Sequence, residues 1–348
     1  MTKVLVVATS RKTRGGITSV VKAHEQGRQW KMFHCRWIET HRDGNAICKL
    51  WYFVTALLEY LCLLPSNDLV HIHLSEPPSA IRKSIFLFFA RLMGKKVITH
   101  FHAFSPETTI LGTQKNIYHY LFSNSDRVIV LSNYWKRKVN ECFNLGEKVQ
   151  VIYNPCTSDI LPAKFSKKKQ ILYAGTINSR KGYADMIRAF AIIAPKHLDW
   201  QIVFAGNGEV QAGTRLAKEL GIEQQTIFLG WVNGADKDKA FKESSIFCLP
   251  SYAEGFPMAV LDAWAYGLPV ITTPVGGIPD IAKDGENLLL FTPGDINALA
   301  SHMERIITDE LLQKYISGES KRLANTTFNI LTINQQIEML YLQVIHNN

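Results

Sequence analysis

Residues 247–280 read FCLPSYAEGFPMAVLDAWAYGLPVITTPVGGIPD. Ile246 to Pro250 is an apolar run of strand length, and the turn after it carries an acid and a glycine. Pro257 stands where the first turn of a helix accepts proline, so the spacing predicts a helix from about Phe256. Glu254 then lies on a loop beyond the carboxyl end of a buried strand. Backbone N–H groups between Gly255 and Ala259, past Phe256 and Met258, would lack partners at that helix start and would aim at an anion. Asp262 is expected two turns into the helix, and Gly276 and Gly277 open a second loop where backbone can approach a ligand closely.

The same strand-then-helix alternation extends in both directions. Runs at Lys3 to Ala8, Asp68 to His73, Lys96 to Phe101, Arg127 to Leu131 and Val149 to Tyr153 predict strands in the first half. Gln170 to Ala174, Gln201 to Ala205, Thr226 to Leu229, Ile246 to Pro250 and Pro269 to Thr273 do so in the second. The pattern breaks between residues 155 and 169, where Pro155, Pro162 and Lys167 to Lys169 interrupt it. The fold class expected is α/β, with a Rossmann-like domain over residues 1–160, a second over 161–329 and a last helix from 330 to 348. Open sheets of this kind bind ligands outside the carboxyl ends of their strands, so a crevice between two doubly wound domains is expected.

Composition fits this reading. A chain of 348 residues suits two domains, and 47% hydrophobic with 20% charged residues is ordinary for well-buried globular folds. Six scattered cysteines without a Cys-x-x-Cys argue against a disulfide scaffold or zinc site and for a reducing, cytoplasmic setting. The apolar run at the start is too short for a signal peptide core. Leu50 to Leu64 is 15 residues with Glu59 inside it, short of the roughly 20 needed to cross a bilayer, so no transmembrane helix is predicted. The formal charge of +9 suits an anionic partner such as a nucleotide sugar or a membrane surface. Nucleic acid is not expected as a partner, since no recognition module or dense basic stripe occurs.

The segment around Glu254 resembles the donor-binding motif of retaining nucleotide-sugar glycosyltransferases of family 4, which have two Rossmann-like domains in the GT-B arrangement. That family carries a pair of acids eight positions apart, here Glu254 and Asp262, with Asp in place of the usual second Glu. The resemblance implies that Glu254 contacts hydroxyls of the transferred sugar and that Asp262 holds the ribose. It implies that Lys181, in AGTINSRKG, binds the donor diphosphate, with Arg180 supplying the cation the family often places where Thr176 stands. Gly15 and Gly16, after the first strand, match the glycine loop that faces the donor phosphates. His102, in VITHFHAFSP, matches the histidine that approaches the sugar and its phosphate, and alternation turns His100 to the same side. His73 is expected to line the crevice or the core.

By the same resemblance the last helix returns to the first domain, configuration is retained, and no metal or other cofactor is needed. The implied function is transfer of a hexose from a nucleotide-diphosphate sugar to a glycan acceptor, with a lipid-linked acceptor in surface polysaccharide or lipopolysaccharide synthesis. Arg11, Lys12, Arg14, Arg82, Lys83, the run Ile85 to Leu92, and Trp135 to Lys138 suit docking on an anionic bilayer at the inner face of the cytoplasmic membrane. Two other readings stand beside this one. A nucleotide-sugar 2-epimerase lacks the full acid pair, and a glycosyltransferase-like binding protein without turnover would rest on Asp262 and Thr176.

Overall fold

The continuous apolar runs become buried strands, because a parallel sheet covered on both faces leaves no solvent side for polar alternation. The computed structural model describes residues 2–156 and 166–346, so the expected boundary at residues 160 and 161 and Pro162 lie outside the described residues. The chain divides into two units, one built from residues up to 156 together with 329–346, the other from 166–328.

The first unit contains β1 (Val4–Ala8), β2 (Arg36–Glu39), β3 (Leu69–Leu74), β4 (Lys96–Phe101), β5 (Arg127–Val130) and β6 (Val149–Val151), all parallel, in the order β2-β1-β3-β4-β5-β6. The second contains β7 (Gln170–Ala174), β8 (Gln201–Ala205), β9 (Thr226–Gly230), β10 (Ile246–Leu249), β11 (Val270–Thr272) and β12 (Leu289–Leu290), also parallel, in the order β12-β11-β10-β7-β8-β9. In each sheet the chain runs outward from a central strand and then returns to its other side. The reversal falls between β1 and β3 in the first sheet and between β7 and β10 in the second. Such switch points leave a gap at the carboxyl ends where the two flanking loops diverge.

Helices cover both faces of the first sheet. Those at Ala46–Leu63, Pro77–Leu92, Lys115–Ser123 and Asn133–Phe143 share one core cluster with β3 and β4. On the other face, the helix Ile330–His346 buries Ile333, Ile337, Leu340, Tyr341 and Val344, a three-and-four spacing that presents one stripe. The C-terminal helix therefore returns to the first sheet, against Val4, Val6 and Ile98.

Two local expectations differ. Pro257 is not inside the first turn: it caps the helix Met258–Ala265 with an extended ψ of 111°. Asp262 is therefore one turn in. The helix at Ala46–Leu63 runs longer than the apolar stretch in the sequence, and with the turn to Ser66 it is long and apolar enough to cross a membrane by length and composition.

Candidate active site

The loops after β7 and β10, the two strands flanking the second switch point, bring the expected donor residues together. Lys181 Nζ donates to Glu254 Oε1 at 2.8 Å, and the Ser251 hydroxyl donates to the same oxygen at 2.8 Å. Arg180 Nη1 stands 3.6 Å from Glu254 Oε2 and also donates to the carbonyl of Ala253. Burial of Glu254 would raise its pKa. The charges of Lys181 and Arg180, with the hydrogen bonds from Lys181 and Ser251, outweigh this and hold it below the ordinary carboxylate value. The site thus carries an ionised, almost fully buried acceptor beside two cations. Ser251 was missed in the sequence because serine in a turn has many commoner roles.

Backbone geometry sets this cluster. Gly182 follows Lys181 with φ of +69°, and a Cβ there would lie 2.0 Å from the carbonyl oxygen of Pro250. Gly276 has φ of +59°, and a Cβ would lie 2.2 Å from the carbonyl oxygen of Glu254. Both contacts need glycine twice over, for the dihedral and for the approach. Gly277 N–H donates to the carbonyl of Gly255 at 2.8 Å, tying the Gly276–Gly277 loop to the turn that holds Glu254.

At the start of the helix Met258–Ala265 the first amides have no acceptor within the helix, an arrangement suited to anions. Asp262 is buried on this helix and its Oδ2 lies 2.7 Å from Lys237 Nζ, on the helix Gly234–Glu243. Lys237 was not foreseen. It sits in a strongly polar helix, where lysine reads as solvated surface. Thr176, at the end of the β7 turn, accepts a hydrogen bond from Tyr173 through its carbonyl at 2.8 Å.

In the first unit Gly15 caps the helix Gly16–Glu25 after β1 with φ of +146°, in the region that favours glycine, and both glycines are exposed. The histidines are less isolated than their sequence suggests. His73 pairs with His100 across β3 and β4, and His71, His73, His100 and His102 stack in one layer with His24 beside it. His73 Nδ1 is 3.0 Å from His102 Nε2, and His71 Nδ1 is 2.7 Å from the Tyr341 hydroxyl. Burial holds all of them below the usual imidazole range, His24 at about 4 against an opposing hydrogen bond with Asn334, and His102 at about 3; neighbouring histidines add smaller contributions at His71, His73, His100 and His102. His102 is therefore neutral. His71, His73 and His100 offer ring nitrogens within 4.8 Å of one another. The His71 and His100 rings are nearly parallel, 7° apart, so their in-plane lone pairs do not converge as metal ligation requires.

Family profiles match most of the chain in two parts. One described as "Glycosyltransferase Family 4" matches residues 7–159 and one described as "Glycosyl transferases group 1" matches residues 161–323. The chain belongs to glycosyltransferase family 4. It is 32% identical to an uncharacterized glycosyltransferase of Methanocaldococcus jannaschii over 215 residues, 57% of this chain and 55% of that protein, so it spans about half the length of that relative. It is 29% identical to a lipopolysaccharide 1,6-galactosyltransferase of Salmonella typhimurium over 70% of each chain. The structure of Anabaena HepE in complex with UDP-glucose superposes with a TM-score of 0.80 at 20% identity, over 99% of this chain and all of that one, which establishes the shared GT-B fold.

Several basic residues expected to face a membrane are otherwise engaged. Arg11 pairs with Glu39 at 2.9 Å and with Glu25, and stacks on Trp37. Lys83 is buried and donates to the Thr40 hydroxyl. Trp135 is a core residue rather than a surface anchor. Apolar residues must fill the helix faces that meet the sheet, and Trp135 falls on such a face. Within the run Ile85 to Leu92, however, Ile85, Phe88 and Leu92 face outward.

Proposed function

We propose that this glycosyltransferase moves a hexose, with retention of configuration, from a nucleoside-diphosphate sugar to a glycan acceptor, with Lys181, Arg180 and Glu254 at the centre of the donor site. The observation that carries the reading is the ionised Glu254 held 2.8 Å from Lys181 at the switch point of the second sheet. In the reaction the bond between the anomeric carbon and the phosphate oxygen breaks. Negative charge on the departing diphosphate is met by Lys181, Arg180 and the amides at the start of Met258–Ala265. Glu254 accepts hydrogen bonds from the sugar hydroxyls and orients the ring as the anomeric carbon becomes positive. The acceptor hydroxyl attacks from the face the phosphate leaves, and its proton passes to a phosphate oxygen. Asp262 takes the ribose hydroxyls, and the Gly15–Gly16 helix start and neutral His102 serve sugar and phosphate oxygens. These cations replace a divalent ion in the reading, so no metal takes part in transfer.

The Anabaena protein's UDP-glucose favours uridine as the base, and the Salmonella relative favours a lipopolysaccharide or surface polysaccharide acceptor that is lipid-linked. Six free cysteines accord with a cytoplasmic site of action at the membrane.

The test is a thermal-shift screen with UDP, GDP, ADP and their sugar conjugates, followed by turnover with the conjugate that binds and anomer assignment of the product by NMR. A melting temperature raised by one diphosphate and not in Lys181→Ala is expected, because a ligand of the folded state must stabilise it. No rise with any of them overturns the donor site, and an inverted anomer overturns retention.

A further inference from the structure

The carboxyl ends of β1 and β2 carry a group of cations that the donor site does not use. Lys83, on the helix Pro77–Leu92 that follows β3, is 1% accessible, and its ammonium donates to the hydroxyl of Thr40 just beyond β2. Thr40 in turn donates to the carbonyl of Ala8 at 2.8 Å, which fixes it to the end of β1. Arg82 is half-buried, and its buried Nε has no hydrogen-bond partner. His41 follows Thr40, and the positive charges of Arg82, Lys49 and Lys83 all act on its ring. This group stands beside the glycine loop. The Ser10 N–H and the Thr13 hydroxyl donate to the His41 carbonyl at 2.7 and 3.0 Å, and the Arg14 N–H donates to Asp43 Oδ2 at 3.3 Å.

Charge in this group is not balanced from within. Asp43 lies 3.8 Å from His41 Nε2 and is largely exposed, but no carboxylate acts on Arg82 or Lys83. Burial alone lowers Arg82 below the ordinary guanidinium value, and burial with the charge of Arg82 lowers Lys83 well below the ordinary amine value. Arginine does not give up its proton in proteins, so Arg82 stays charged whatever Lys83 does. By contrast Arg11, Arg91 and Arg180, also half-buried, each meet a carboxylate. A buried cation without such a partner costs stability, since it loses hydration that nothing in the protein replaces.

A phosphate group answers this arrangement. The guanidinium of Arg82 offers a planar fork, the ammonium of Lys83 a point charge and the imidazole of His41 a further donor. A carboxylate is satisfied by the arginine alone, whereas a phosphate has oxygens for all three and charge enough for more than one cation. In the proposed reaction the diphosphate of the donor has its cations in the second unit, in Lys181 and Arg180. A phosphate held by the first unit, beside Gly15 and Gly16, therefore belongs to the other substrate.

We propose that Arg82, Lys83 and His41 form a subsite that receives a phosphate carried by the glycosyl acceptor. Naming the ligand an acceptor rests on the proposed transfer reaction, whereas the phosphate site itself is measured without turnover. The experiment is calorimetric titration of the full chain with inorganic phosphate at fixed ionic strength, with and without saturating UDP, and with acetate as the carboxylate control. It is run for the native protein, Arg82→Gln, Lys83→Met and Lys181→Ala, with the melting temperature of each. Phosphate binding that persists in Lys181→Ala and under UDP, and weakens by more than about tenfold in Arg82→Gln and Lys83→Met, is expected. Without phosphate, Lys83→Met should melt no lower than the native chain, because an apolar side chain of similar length replaces an ammonium that has no counter-ion. A lower melting temperature would make Lys83 a structural donor to Thr40 and remove it from the site. No binding to the native chain, or equal binding by the two variants, overturns the subsite, and an equal response to acetate overturns phosphate as its ligand. Displacement of phosphate by UDP, or its loss in Lys181→Ala, would give these cations to the donor and overturn the acceptor. A missing UDP response with phosphate binding retained would count against the donor site alone.

Discussion

Lys181 and Glu254 are 73 positions apart in the chain and 2.8 Å apart in the fold, because their loops leave the adjacent strands β7 and β10. The lysine proposed for the diphosphate and the carboxylate proposed for the sugar are thus held in contact before either meets a ligand. Replacing Lys181 with Ala removes the cation proposed to meet the leaving group. Turnover is expected to fall by about 10² to 10³, the range for loss of one preorganised stabilising group, together with the nucleotide-dependent rise in melting temperature. Glu254→Gln should lower turnover comparably while leaving binding of UDP without sugar nearly intact. Equal loss of free-UDP binding in the glutamine variant would show that the acid serves the nucleotide instead.

Gly276→Ala tests the backbone that shapes the site. The added Cβ meets the carbonyl oxygens of Glu254 and Gly255 at 2.2 and 2.5 Å, and the positive φ adds strain. Gly221 has a similar φ of +71° with nothing within 4 Å, so Gly221→Ala isolates the dihedral cost. The Gly276 variant should lose about 1–3 kcal/mol more than the Gly221 control, read as a drop of several degrees in melting temperature. It should lose turnover as well, whereas the control keeps it. Indistinguishable variants would mean that the loop gives way without cost.

The sequence was most readable where burial made it uniform. Ten strands show as largely apolar runs, within a residue or two at their ends, eight of them because both sheet faces are covered there, while the edge strands β6 and β9 are only partly buried. The two it does not show are edge strands. β2 reads RWIE with Arg36 exposed, and β12 is only Leu289 and Leu290. Glu254, Lys181 and Arg180 were singled out through the resemblance of their loops to the family 4 motif, and the adjacency of β7 and β10 is what brings them together. Lys237 and Ser251 were not, since a single lysine on a polar helix carries no period and a turn serine no spacing. The histidine layer lay between these cases. Alternation puts His100 with His102, but only the register of β3 on β4 stacks them on His71 and His73.

That layer makes stability depend on pH. Each of His24, His71, His73, His100 and His102 holds its proton less tightly when folded than at the ordinary value of 6.5. Unfolding therefore takes up protons below that value, so stability is fully present above it and is lost as pH falls toward about 4. Calorimetry between pH 7.5 and 4.5, on the order of the window in which an unperturbed histidine titrates, should show a melting temperature that falls with acid. His100→Leu should flatten the fall. An unchanged slope in that variant would place the acid sensitivity elsewhere.

If cations of the chain carry the charge of the leaving group, a chelator should not stop turnover. Activity after exhaustive treatment with EDTA is expected to equal that before it, and added magnesium should change it little. Loss on chelation, restored by a divalent ion, would require a metal with the donor diphosphate and would reduce Lys181 to an accessory.

Asp262 distinguishes recognition of the ribose from recognition of phosphate. Its carboxylate is buried and lies 2.7 Å from Lys237, so the shorter acid is already oriented by a partner on the neighbouring helix. A ribose with two hydroxyls can donate to the carboxylate without displacing that lysine, because a carboxylate accepts several hydrogen bonds. Asp262→Ala should therefore shrink the thermal shift produced by UDP while leaving the smaller shift produced by pyrophosphate unchanged. Lys237→Ala removes the charge partner of a buried carboxylate, and a cost of about 1–3 kcal/mol is expected in the free protein. Nucleotide should recover part of that loss by supplying hydroxyl donors, so the UDP shift in Lys237→Ala should exceed that of the native chain. If Asp262→Ala instead weakens pyrophosphate and UDP equally, the acid supports the start of Met258–Ala265 and does not touch the ribose.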